Sequence, residues 1–149
     1  KYNKNFYKKF AKNCNEYFYI PHRNERRGIG GIFFDNFSQL SLQKTTNMLS
    51  EIASQYKNSY GFIANKRKIK EYSYEQKNFQ LYRRGRYAEF NLVYDRGTAF
   101  GLQSNGRIES ILASLPANVR WSYSKDKSYI KMEKRLLKFI NKDWNEFQI

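Results

Sequence analysis

Between residues 42 and 60 the side chains Leu42, Leu49, Ile52, Ala53, Tyr56 and Tyr60 recur at three- and four-residue steps. That spacing gathers them on one stripe of a helix, over about 41 to 65. The stretch "RYAEFNLVYD", residues 86 to 95, has a different rhythm: Ala88, Phe90, Leu92 and Tyr94 alternate with Tyr87, Glu89, Asn91 and Val93. A period of two predicts a strand of an antiparallel sheet. "DRG" would turn that strand, "TAFGLQ" would return beside it, and "SNG" would turn the chain again. Long helices around hairpin-linked strands define the expected fold class, α+β, with an antiparallel β-sheet flanked by helices.

The remaining segments fit that frame. Phe6, Phe10, Cys14 and Tyr17 predict an amphipathic helix over residues 1 to about 19, which Pro21 should end near Tyr19. "GGIFFDNF" reads as a short buried strand, and the polar "NKRKIKEY" as the tail of the long helix leading into an exposed turn. A further helix is expected from Tyr74 to Arg84, stopping at Gly85. Ile108, Ile111, Leu112 and Leu115 suit a helical segment, "VRWSY" a strand, and Tyr129 to Ile140 a closing helix.

One domain accommodates 149 residues, and 40% hydrophobic with 18% aromatic content excludes a disordered chain. No apolar run approaches the roughly 20 residues that span a bilayer, and no secretory or transit segment is visible. The expected location is cytoplasmic, with mitochondrial as the alternative. The first residue is Lys1 rather than Met, so the chain is expected to be part of a longer protein. One cysteine and one histidine exclude an internal disulfide and a zinc-type ligand cluster within the chain. Cys14 is expected to be a buried structural thiol. A net charge of +15, from 28 Lys and Arg against 13 Asp and Glu, favours anionic partners, polycarboxylates among them. A basic nucleic-acid-binding domain is the competing class, although the lysines form no single stripe.

"PHRNERRGIGGIFFDNF", residues 21 to 37, carries the histidine, three arginines and three glycines ahead of an apolar run. It is not a phosphate loop, which needs Lys-Ser/Thr opening a helix, nor a dinucleotide fingerprint, which needs a strand before the glycines. The glycines allow a tight entry into a packed strand, an account that leaves the arginines unexplained. Arg83, Arg84, Arg86, Arg96 and Arg107 flank the alternating stretch. Guanidinium groups bind carboxylates bidentately and keep their charge. An Asp95–Arg96 salt bridge closing the hairpin is the plainer alternative.

"YFYIPHRNERRGIGGIFFDNF", "NFQLYRRGRYAEFNLVYDRGTAFGLQSNGRIESILASLPANVRWSY" and the closing "NKDW" closely resemble the oxygen-dependent coproporphyrinogen III oxidase family. The resemblance runs in order from about Tyr2 to Trp144 and implies that residues 1–149 are the C-terminal half of a single oxidase domain. It implies oxidative decarboxylation of two propionates of coproporphyrinogen III to vinyl groups, giving protoporphyrinogen IX in haem biosynthesis. Molecular oxygen is the implied co-substrate. No organic cofactor is implied, and a divalent metal belongs to some members only. The family implies a homodimer, through about Tyr87 to Ser122, and no nucleic-acid partner or membrane span. The isolated half is expected to be inactive, and a non-catalytic piece of the fold is the alternative within the same ancestry.

Residue by residue, the resemblance assigns catalysis to Asp95 and Arg96 and substrate contacts to Arg27, Asn105, Gly106 and Arg107. It assigns a metal-ligand role, in some bacterial members, to His22. Arg96 is expected to keep Asp95 ionised or to hold a propionate. Asn105 replaces the family's usual first glycine in the substrate-contact turn, and Asn36 replaces the second aspartate after "IFF".

Overall fold

A computed structural model describes residues 2–124 and 126–142. Its elements run α1 (Lys4–Tyr17), β1 (Tyr19–Ile20), a 3-10 turn (Pro21–Arg23), β2 (Glu25–Arg26), α2 (Leu42–Arg67), α3 (Tyr74–Val93), α4 (Arg96–Gln103), α5 (Ile108–Ile111), a 3-10 turn (Leu112–Ser114) and α6 (Lys127–Ile140). The described chain is mostly helical with one small antiparallel pair of strands, which agrees with α+β at its coarsest. Tyr19 pairs with Arg26 and Ile20 with Glu25, and Asn24 closes the hairpin in the left-handed region at φ 50°. Asn tolerates that region because its short side chain hydrogen-bonds locally. Asp143 and Trp144 of the "NKDW" string lie outside the described residues.

Helices α1, α2 and α6 form where the periodicity places them. Asn3 caps α1 by accepting from the Asn5 amide at 2.9 Å, and Asp126 caps α6 by accepting from Ser128 N at 2.9 Å. Such caps satisfy amides that have no partner within the helix. Phe6, Phe10 and Cys14, four residues apart, form the buried stripe of α1. Cys14 is buried, as expected for a structural thiol, and burial raises its pKa against the pull of Arg27 and Arg26. Phe6 and Phe10 join Met48 of α2 in a core that Ile32, Phe34, Phe37, Leu40 and Ile52 extend. Yet Leu42, Leu49, Tyr56 and Tyr60, most of the stripe that predicts α2, are exposed. The period makes the helix, but the described residues supply no partner for that face.

Four expected strands are corrected. "RYAEFNLVYD" is the second half of α3, and Gly85 does not stop the helix. A capping box starts α3, with Ser73 Oγ accepting from Gln76 N at 3.2 Å and Gln76 Oε1 accepting from Ser73 N at 2.8 Å. Tyr82, Arg86 and Phe90 then form a buried stripe at helical spacing through the alternating residues. Gly85 sits where the next segment crosses, since a Cβ there would lie 3.1 Å from the Arg120 carbonyl oxygen and 3.1 Å from Trp121 Nε1. "TAFGLQ" belongs to α4, because Asp95 caps a helix instead of closing a hairpin. "GGIFFDNF" and "VRWSY" are extended segments laid on helices. Each makes an isolated backbone bond, Phe33 N to Phe10 O at 3.0 Å and Arg120 N to Leu81 O at 3.1 Å. Neither finds a neighbouring strand among the described residues, so no ladder forms.

Candidate functional site

Two adjoining constellations use the arginines of the 21–37 stretch. The first is ionic. Arg86, 2% exposed on α3, donates to Glu25 Oε1 at 2.9 Å and to the Tyr82 hydroxyl at 2.8 Å. Arg83 donates to Glu133 Oε1 of α6 at 3.0 Å and approaches Glu25 Oε1 at 3.1 Å. Arg23 forms a two-pronged pair with Glu89, at 2.9 and 2.8 Å. Glu89 also accepts from Trp121 Nε1 at 2.9 Å and meets His22 Nε2 at 2.8 Å. Burial pushes the Glu89 carboxyl up, but the bonds from Arg23, His22 and Trp121 outweigh it and hold the pKa at about 2. The network thus ties the hairpin, α3, α6 and the Trp121 segment together through opposite charges.

His22 belongs to this network. Its Nδ1 lies 2.8 Å from the Tyr94 hydroxyl, so both ring nitrogens have protein partners. Among the described residues no three His, Cys, Asp or Glu side chains are grouped to hold a metal ion. Among the described residues His22 acts as a buttress between the hairpin and α3.

The second constellation gathers at the N-terminus of α4. Asp95 Oδ2 accepts from Thr98 N and Thr98 Oγ1, each at 2.8 Å, and Asp95 Oδ1 accepts from the Tyr17 hydroxyl at 3.1 Å. Burial raises the Asp95 pKa, but the Thr98 and Tyr17 bonds and the charge of Arg27 bring it below the usual carboxylate value. A carboxylate offers about four acceptor sites, so about one remains for an incoming donor. The local signal for this arrangement is Asp three residues before Thr, a helix N-cap pattern that the strand reading passed over.

Arg96 does not pair with Asp95. Its guanidinium meets Asp35 Oδ2 at 3.1 Å and lies 4.8 Å over the Tyr17 ring. The cation that lowers the Asp95 pKa is Arg27. Arg27 packs against Phe18 at 4.1 Å, Tyr87 at 4.9 Å and Phe90 at 5.2 Å from the ring centroids. Burial among those rings pulls its pKa down. Cation–π contacts hold the guanidinium without using its N–H donors, which leaves them for an anion. Asn36, the departure from the family's paired aspartates, adopts φ 48°, a left-handed conformation that suits asparagine.

Asn105, Gly106 and Arg107 lie beyond the other end of α4, about 12 Å away along a helix of eight residues. Asn105 takes φ 55° in the turn, and a Cβ at Gly106 would come within 3.0 Å of the Gly101 carbonyl oxygen. Arg107 has a 78% exposed side chain and approaches Glu109 at 3.6 Å. The described structure thus brings together Arg27, Asp95 and Arg96, places His22 one layer away, and leaves the 105–107 turn apart. Tyr17, the residue linking Asp95 to Arg96, was legible in the sequence only as a member of the α1 stripe.

Comparison with known proteins places the chain among relatives named as oxygen-dependent oxidases. Among curated proteins, the oxygen-dependent coproporphyrinogen-III oxidase of Francisella tularensis subsp. holarctica (strain OSU18) is 49% identical over 145 residues, covering 97% of this chain and 47% of the relative. That of Francisella philomiragia subsp. philomiragia is 47% identical over the same coverage. The family model for coproporphyrinogen III oxidase matches residues 1–145. The chain belongs to the coproporphyrinogen III oxidase family. It spans about half the length of the curated relatives it matches. No described helix is long and apolar enough to cross a membrane.

Proposed function

We propose that the protein carrying this chain converts two propionates of coproporphyrinogen III to vinyl groups with molecular oxygen, giving protoporphyrinogen IX in haem biosynthesis. The observation that carries this reading is the family match over residues 1–145, in which a caged cation, Arg27, stands beside an ionised carboxylate, Asp95. The nucleic-acid alternative is not favoured by that match.

Each conversion balances when a propionic acid and dioxygen yield a vinyl group, carbon dioxide and hydrogen peroxide. Asp95 accepts a pyrrole N–H hydrogen bond at its remaining acceptor site and withdraws the proton, which leaves the ring electron-rich enough to reduce oxygen. Hydrogen then leaves the propionate chain as the carboxylate departs as carbon dioxide. Arg27 holds a propionate through donors its aromatic cage leaves free, and Arg107 holds another from the 105–107 turn, with Asn105 and Gly106 shaping that turn. Arg96 braces Tyr17 and Asp35 beneath the carboxylate. No step runs through a metal, and oxygen is the only co-substrate assigned. The stretch Tyr87 to Ser122 is assigned a homodimer contact, supported by the exposure of Leu92, Val93, Phe100, Ile108 and Trp121. The protein's place of action is assigned to the cytoplasm.

The test is Asp95→Asn in the full-length protein. Asn caps a helix about as well as Asp, so α4 is kept while the base is lost. Oxygen uptake and vinyl formation are expected to fall roughly 10²- to 10⁴-fold, the usual range for a positioned general base, with melting temperature and substrate affinity retained. Near-normal turnover by the folded variant would eliminate Asp95 as the base and leave it only the capping role.

A further inference from the structure

We propose that Tyr17 is the positioning residue of this site, its phenol orienting the Asp95 carboxylate for proton transfer; the inference rests on the assignment of Asp95 as the base. Tyr17 is the last residue of α1, and its ring stacks on Phe33 at 4.3 Å and meets Phe90 edge-on at 5.8 Å. From that clamp its hydroxyl donates to Asp95 Oδ1 at 3.1 Å and accepts from the Arg96 amide at 3.3 Å. The Arg96 guanidinium covers the same ring, and Asp35 holds that guanidinium from the far side.

The geometry divides the work. Thr98 makes both of its bonds to Oδ2, and those two contacts leave the carboxylate free to pivot about that oxygen. Tyr17 removes this freedom at Oδ1, the oxygen with an acceptor site still open. A hydrogen bond to the charged form of a carboxylate also favours ionisation, so the phenol keeps the base deprotonated at lower pH. Among the described residues, two other charged groups bear on Asp95. Arg27 reaches it electrostatically from the segment after β2, and Arg96, next in the chain, is paired with Asp35.

The experiment compares Tyr17→Phe, Asp95→Asn and the unaltered full-length protein, measuring kcat, KM and melting temperature across the acid limb of the pH profile. Phe keeps the Phe33 and Phe90 contacts. The expected result is an acid limb displaced to higher pH and a kcat lowered roughly 10- to 100-fold, as for loss of a bond to a charged group, with KM nearly unchanged. A merely structural tyrosine would lower the melting temperature and leave the limb in place. If Tyr17→Phe does not fold, 3,5-difluorotyrosine at position 17 keeps the shape with a more acidic phenol, and the limb is expected to move to lower pH. An unmoved limb in the folded replacement, with Asp95→Asn crippled, overturns the Tyr17 assignment alone. Near-normal turnover by Asp95→Asn overturns it together with the reading beneath it.

Discussion

Replacing Glu89 with Gln keeps the size of the side chain and removes the negative charge where Arg23, His22 and Trp121 converge. The Glu89 pKa falls from an ordinary 4.5 to about 2 in the folded protein. At about 1.4 kcal/mol per pH unit, that difference corresponds to about 3 kcal/mol of folding free energy at neutral pH. Arg23 and His22 are 38% and 42% exposed, so solvent screens part of the attraction and about 2 kcal/mol is the better expectation. The sign follows from a depressed carboxylate pKa. The contribution is fully present above pH 4.5, the unfolded value, and is lost as pH falls through about 2, the folded value. Urea unfolding of the two proteins between pH 7 and pH 3 is the assay. Glu89→Gln should be less stable by about 2 kcal/mol at pH 7, and the gap should shrink to less than about half of that near pH 3. A gap below about 0.5 kcal/mol at pH 7, or one that does not change with pH, would refute the idea that ionic bonding at Glu89 holds the hairpin to α3.

Gly85→Ala should destabilise the protein by about 1 kcal/mol, although Ala is the better helix former, because the crowded Arg120 carbonyl is anchored on both sides. Its anchors are Arg120 N to Leu81 O at 3.1 Å and Trp121 Nε1 to Glu89 at 2.9 Å, and a raised melting temperature would show that they yield. Arg107→Ala should weaken substrate binding by about 1.5–3 kcal/mol while changing folding stability by less than about 0.5 kcal/mol. Its charged neighbour among the described residues is the exposed Glu109, so a collapse in melting temperature with unchanged substrate affinity would make Arg107 structural.

The amino-acid sequence alone determined the family, the three helices whose stripes repeat every three or four residues, and the residue types of the site. These properties are local or textual: the spacing of Phe6, Phe10 and Cys14 needs no distant partner to specify a helix. Tertiary structure decided what the stretch from Arg86 to Asp95 becomes. Its residues alternate as a strand would, yet Tyr82, Arg86 and Phe90 also fall on one helical stripe, and both patterns coexist in the same letters. The helical choice buries Arg86 against Glu25 and Tyr82, with Glu89 and Glu133 close by, and two of these, Glu25 and Glu133, lie 61 and 47 residues away in the chain. The same long-range placement made Asp95 a helix cap, gave it Arg27 and not its neighbour Arg96 as the cation, and carried Tyr17 across 78 residues to its carboxylate. Electrostatic partners are set by distance in space, and a one-dimensional reading assigns charge to the nearest neighbour in the chain.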